Sequence, residues 1–267
     1  MNGLPYIDVP ERIGPISTFG VLLATGVMFA AYLTRRYARR NGLDEETLGW
    51  LTTRVVGWGF LGAVVLNIVF YEASAFGHDP WGTVKQIGIS SYGGALAGAA
   101  AFLYCARKRR LDRRRWGDLL AYGASGGWLL GRLGCAVVHD HLGRRTDFAL
   151  GVNVPPGRYP FERVQHVIRA HDLGLYEFFL WVVLIAGMLT LERWRGRKPG
   201  FLLGTLAVAY SVPRFFFEFL RQPTTDPRYV GLTFAQHASI LAFVVGLVLL
   251  FGRASTRPAP EADRPAR

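Results

Sequence analysis

Cysteine is scarce in this chain of 267 residues, with Cys105 and Cys135 the only two. That excludes a disulfide framework as the organising device. The pair is expected to lie too far apart to bond to each other. No metal-ligand spacing involving cysteine appears, so neither a metal nor a cofactor is expected. A P-loop, a dinucleotide fingerprint and an internal repeat are also missing, which excludes nucleotide cradles and solenoid architectures. Acidic side chains are few, 19 against 31 Lys and Arg, for a net charge of +12.

What the chain has instead is apolar residue, 51% of the total, gathered into blocks. Seven blocks of roughly membrane-spanning length run near 13–33, 51–71, 87–105, 118–138, 174–191, 201–219 and 233–251. A soluble domain would distribute the same residues around one core. The expectation is an all-α, polytopic membrane protein of about seven transmembrane helices, forming one domain over residues 1–252. Arg12 is the only cation before the first block, and basic residues follow it. A cleaved signal has the opposite layout, so the block reads as a retained helix.

In a soluble protein this excess of positive charge would suggest nucleic acid, but here position decides. The segments after the first, third, fifth and seventh blocks hold 19 of the 31 Lys and Arg, in runs such as "RRYARR" and "RKRRLDRRR". The segments on the other side hold 9. The bias predicts an N-terminus on the outside and a cytoplasmic C-terminus, with the runs touching anionic headgroups and no nucleic-acid partner. An odd number of crossings agrees. The long connection 139–173, with "FALGVNVPPGRYPF" inside it, predicts a small head of strands and turns on the outer face. The Pro-rich tail 253–267 is expected to be disordered.

Several residues do not belong in hydrocarbon. In this topology Arg132 lies about 9 Å, and Arg214 about 8 Å, inside the outer boundary, and Tyr92 falls at a similar depth. His139, Asp140 and His141 emerge just above Arg132, as Glu218 and Arg221 do above Arg214. Arg132 alone reads as a snorkelling side chain. Arg214, after Pro213, reads as a kink residue paired with Glu218 at i+4. The glycines of "SSYGGALAG" read as helix-packing positions. Together, however, the charges suggest one polar site. Two guanidiniums at headgroup depth suit phosphate, and membrane phospholipid is the substrate found there. They would favour a reaction in which a phosphate-bearing group departs and gains charge.

Five segments, in order, carry a resemblance: "SSYGGALAG" (90–98), "GRLGCAVVHDHLGR" (131–144), "HDLGLYE" (171–177), "KPGFLLGTLAVAYSVPRFFFEFLRQP" (198–223) and "GLTFAQHASI" (231–240). Over nearly its whole length the chain resembles the prolipoprotein diacylglyceryl transferases of bacterial inner membranes. The resemblance implies transfer of diacylglyceryl from phosphatidylglycerol to the lipobox cysteine of a preprolipoprotein. Arg132 and Arg214 match the family's two essential arginines. Tyr210, Gly143, Glu218 and Arg221 match its neighbouring motif positions, and His171, Tyr176 and Glu177 match its His…Tyr-Glu motif. Gly93 and Gly94 match the Gly-Gly pair, and Tyr92 and Cys135 take substrate-contacting positions beside them.

Four positions depart from the family pattern. Tyr92 stands where a His often precedes Gly-Gly, Cys135 and Val138 replace two Asn, and Asp140 replaces a Glu. A base is then expected from His139, Asp140, His141 or His171. The same departures also fit a paralogue acting on another acceptor or lipid, or a phospholipid-binding protein without turnover.

Overall fold

The computed structural model describes residues 3–81, 90–194, 196–226 and 228–252. The expected tail 253–267 and the start of the third apolar block lie outside the described residues. Each of the seven blocks falls on a long helix: α1 (Thr18–Asn41), α2 (Glu45–Tyr71), α4 (Ser91–Lys108), α5 (Arg113–Val138), α6 (Leu173–Leu191), α7 (Phe201–Phe217) and α8 (Phe234–Phe251). The short α3 (Ala73–His78) follows α2. Five helices, α1, α2, α6, α7 and α8, are long and apolar enough to cross a membrane. The protein is a polytopic helical membrane protein, and the expected number of seven spans goes beyond those five. Small residues and arginines dilute α4 and α5.

The chain forms two compact units, one containing the residues up to Tyr37 and from Gly117 onward, the other Ala38–Trp116. In the second unit, α2 packs on α4 through glycines. A Cβ at Gly93 would lie 2.4 Å from the Gly62 carbonyl oxygen, so only glycine allows these backbones to meet. Asp44 caps α2, accepting from Thr47 N at 2.7 Å, and Ser90 caps α4. Hydrogen bonds from backbone N–H hold Asp44 below the usual carboxylate range.

The first unit holds α1, α5, α6, α7 and α8. Close approach recurs, with Gly26 against Gly127 between α1 and α5, and Gly204 against Gly246 between α7 and α8. Gly200, at φ +90°, offers α7 no capping side chain. Asp118, on α5, supplies the cap instead by accepting from Gly200 N and Leu203 N, both at 2.8 Å. That bond ties two helices together at the buried start of α7.

The connection 139–173 forms the expected small head. Strands β4 (Leu142–Arg145), β5 (Val152–Val154) and β6 (Ile168–Asp172) pair antiparallel, β6 in the middle. The N-terminal β1 (Leu4–Pro5) adds parallel to β5, which the apolar pattern did not foretell. Leu142, Val154, Tyr159, Val164, Ile168 and Ala170 form the core of the head. Two hairpins, β2–β3 (Arg12–Ile13, Ile16–Ser17) and β7–β8 (Arg228–Tyr229, Leu232–Thr233), lead into α1 and α8. Thr233 and Gln236 close a capping box at the start of α8.

Candidate functional site

α5 and α7 both run toward the head, and α6 runs away from it. Each places a charge near its head end and an aromatic ring one turn further in. Trp128 precedes Arg132 by four residues, Trp181 follows Glu177 by four, and Tyr210 precedes Arg214 by four. The rings pack at a tilt across helices, Trp128 to Trp181 at 6.0 Å and Trp181 to Tyr210 at 5.0 Å. They make an apolar floor below the charges.

Above this floor the charges are shared. Glu177 forms ion pairs with both arginines, its Oε2 3.0 Å from Arg132 Nε and its Oε1 3.6 Å from Arg214 Nε. Tyr210 Oη donates to Glu177 Oε2 at 2.9 Å, and Arg214 Nη1 donates to Glu218 at 2.6 Å. Glu218 lies on the 3₁₀ turn Glu218–Leu220 that closes α7. Both carboxylates are buried, and the side chains of Arg132 and Arg214 are 13% and 9% exposed. Two guanidiniums and two carboxylates cancel formally, which is what an apolar bundle demands of ions it buries. Arg132 approaches Glu177 most closely through Nε, and its Nη pair makes no hydrogen bond among the described residues. That pair of donors remains available to an anion.

The head packs onto the end of α7. A Cβ at Gly143 would stand 2.4 Å from the Leu220 carbonyl oxygen, which explains glycine there. Tyr159 Oη donates to Gly143 O at 2.9 Å and accepts from Gln222 Nε2 at 2.6 Å. Arg144 Nε donates to Arg221 O at 2.9 Å. Arg221 itself pairs with Asp226 at 2.8 Å and, at 3.8 Å, with Glu218. Desolvation raises the pKa of Tyr159, so it remains a neutral donor in the head.

The candidate bases occupy three different settings. His139 Nδ1 lies 2.6 Å from Asp172 Oδ2, and its ring stacks on Tyr6 at 4.0 Å. The other oxygen of Asp172 caps α6 at Leu175 N, so His139 fastens the end of α5 to the start of α6. Gly174 makes room for this join, since a Cβ there would meet the Cys135 and Ala136 backbone near 3 Å. His141 Nδ1 contacts Asp140.

His171, on β6, has Nδ1 3.0 Å from Tyr176 Oη. Tyr176 donates its single proton to Leu150 O at 3.3 Å. The phenol oxygen must therefore accept from Nδ1–H, which leaves the lone pair of the neutral ring on Nε2. Burial lowers the pKa of His171, favouring this neutral form. Tyr176 also packs on Phe217 of α7 at 6.1 Å, beside the arginine site.

Tyr92, Gly93 and Gly94 belong to the other unit, where Gly93 packs on Gly62. Asp118, Asp172 and Gly174 were missed by sequence reasoning. Asp172, directly before "LGLYE", carried a legible N-cap signal. No metal-ligand spacing involving cysteine was legible in the sequence, yet the fold brings one cysteine close to two other donors. Donor atoms of Cys135, Asp140 and His141 lie within 4.8 Å of one another. The spacing C-x4-D-H matches no helical periodicity, but His139 adopts φ +51° and turns the chain back over Cys135.

Apolar helices around a buried, charge-balanced arginine pair define a multi-pass membrane protein with a polar site inside its bundle. Residues 10–252 match the family described as prolipoprotein diacylglyceryl transferase, and the chain belongs to that family. Among its relatives is the phosphatidylglycerol–prolipoprotein diacylglyceryl transferase of Roseobacter denitrificans, 28% identical over 92% of this chain and 96% of the relative. The Synechococcus elongatus protein of the same name is 30% identical over 96% and 90%. The one from Pseudoalteromonas atlantica is 31% identical over 85% and 79%. The protein is an enzyme of the transferase class.

Proposed function

We propose that the protein transfers diacylglyceryl from phosphatidylglycerol to the lipobox cysteine of a preprolipoprotein, at the outer face of a bacterial inner membrane. In this reading the N-terminus and head face the periplasm and the C-terminus faces the cytoplasm, as the distribution of Lys and Arg favours. The observation that carries the reading is the buried Arg132–Glu177–Arg214–Glu218 chain, with the Nη donors of Arg132 left open. The names of the relatives support the substrate class.

The acceptor thiol loses its proton to His171 Nε2, and its sulfur attacks the lipid glycerol carbon bearing the phosphodiester. The C–S bond forms as the C–O bond breaks. Glycerol phosphate leaves with the bonding electrons and takes the proton back from His171. The phosphate passes from one negative charge toward two, so guanidinium donors beside it bind the transition state more tightly than the substrate. Tyr176 fixes the His171 tautomer, and Glu177 and Glu218 fix the arginines. His139 acts as the fastener of α5 to α6.

The test is incubation of the purified protein in lipid nanodiscs with phosphatidylglycerol and a lipobox peptide, read by mass spectrometry. A diacylglyceryl mass on the peptide cysteine, with glycerol phosphate released, is expected. A product formed only from another lipid or acceptor would replace this reading, and tight phospholipid binding without any product would end it.

A smaller effect is expected from His171→Asn. A thiol of pKa near 8.5 is already a few per cent ionised at neutral pH, so losing its base should cost about 30-fold at most. Since burial lowers the His171 pKa, the wild-type rate should hold through the ordinary histidine range and fall only at more acidic pH, as Nε2 protonates. His171→Asn should lose that acid limb. An unchanged limb in the variant would remove His171 from the base role.

A further inference from the structure

We infer that Cys135, Asp140 and His141 form a three-ligand site for a zinc ion at the head end of α5. The three residues offer the thiolate, carboxylate and imidazole donors that zinc takes, with their donor atoms within 4.8 Å of one another. Tetrahedral zinc, with bonds of about 2.0–2.3 Å, needs its donors about 3.3–3.8 Å apart, which small side-chain rotations would bring.

The backbone is built to gather them. α5 ends at Val138, and His139, a non-glycine residue at φ +51°, reverses the chain so that the next two residues return over Cys135. Such a conformation persists only when its surroundings hold it. Here His139 is held by Asp172 at 2.6 Å and by its stack on Tyr6. Gly174 lets α6 pack against Cys135 from the other side.

The donor set also selects the metal. A thiolate favours zinc over magnesium or calcium, which take oxygen donors. Cys135 is buried, while the side chains of His141 and Asp140 are 28% and 40% exposed, so the site opens toward the head and solvent. Three protein ligands leave a fourth position for an external oxygen or sulfur donor, the arrangement of reactive zinc sites as opposed to closed structural ones. Cys135 is three residues beyond Arg132 on α5, so the ion would add positive charge to the same helix face. None of this depends on the transfer reaction.

The test uses the full chain in nanodiscs, stripped with chelator and titrated with Co²⁺ as a spectroscopic stand-in for zinc. One Co²⁺ per chain is expected, with a near-ultraviolet thiolate-to-cobalt charge-transfer band that one equivalent of Zn²⁺ abolishes. Cys105→Ser should keep the band, Cys135→Ser should lose it, and His141→Asn should weaken binding at least about tenfold. Zn²⁺ should also protect Cys135 of the unaltered protein from maleimide, a readout independent of how the variants fold. Absence of a thiolate band in the wild type, a band that persists in Cys135→Ser, or maleimide labelling indifferent to Zn²⁺ would overturn the assignment.

Discussion

Arg132→Ala and Arg214→Ala are each expected to lower diacylglyceryl transfer by about 10²–10³-fold in kcat, the range seen when one donor to a developing oxyanion is removed. The loss should fall on kcat more than KM, because the phosphate gains its second charge only as the C–O bond breaks. Lysine at either position should recover little. It keeps the charge but lacks the planar fork that lets Arg132 lean on Glu177 through Nε while presenting both Nη groups elsewhere. The two positions should also differ in salt-independent stability. Arg214 donates to Glu218 at 2.6 Å and is also shared by Glu177, so its removal strands more buried negative charge than removal of Arg132. The measurement is transfer kinetics in nanodiscs alongside thermal unfolding of the same samples. A folded Arg132→Ala protein with wild-type kcat would show that the guanidinium is structural.

Much of this fold is legible in the sequence because a bilayer restricts what a chain can do. Each apolar block falls on a long helix, and for the five long and apolar enough to cross a membrane the reason is that in hydrocarbon a segment must satisfy its own backbone. Arg132 and Arg214 stood out for the same reason, as charges where none should be free. The connection 139–173 showed alternation and turn residues, and it folds as strands. What escaped the sequence is pairing across distance. Asp118 reads as a polar residue at a helix edge, yet it caps α7 at Gly200, 82 residues away. Glu177 reads as one motif position, whereas its role comes from facing two arginines on two other helices. The contribution of β1 to the head is carried by only two residues, too few for any pattern. The gathering of Cys135 with Asp140 and His141 depends on one backbone angle at His139, and a histidine does not announce a left-handed turn as a glycine would.

The shared carboxylate gives the second large effect. Glu177→Ala leaves Arg132 and Arg214 buried with Glu218 as their remaining carboxylate, an uncompensated positive charge above the floor formed by Trp128, Trp181 and Tyr210. Breaking a buried pair in this way costs about 3–5 kcal/mol, which for a chain of this size is a fall in Tm of about 10 °C. Glu177→Gln should cost less, because the amide oxygen can still accept from Tyr210 Oη. The charge imbalance is what should dominate, and a second substitution can isolate it. Arg132→Met in the Glu177→Gln background removes the surplus cation and leaves Arg214 balanced by Glu218. The double variant should therefore be more stable than Glu177→Gln alone, although it lacks the donors proposed to hold phosphate and should remain inactive. That combination, stability regained and transfer still lost, separates burial of charge from chemistry in a single double-mutant cycle. Should the double variant be as unstable as the two single losses added together, Glu177 would be acting through packing, and the shared-carboxylate account of the arginine pair would fail.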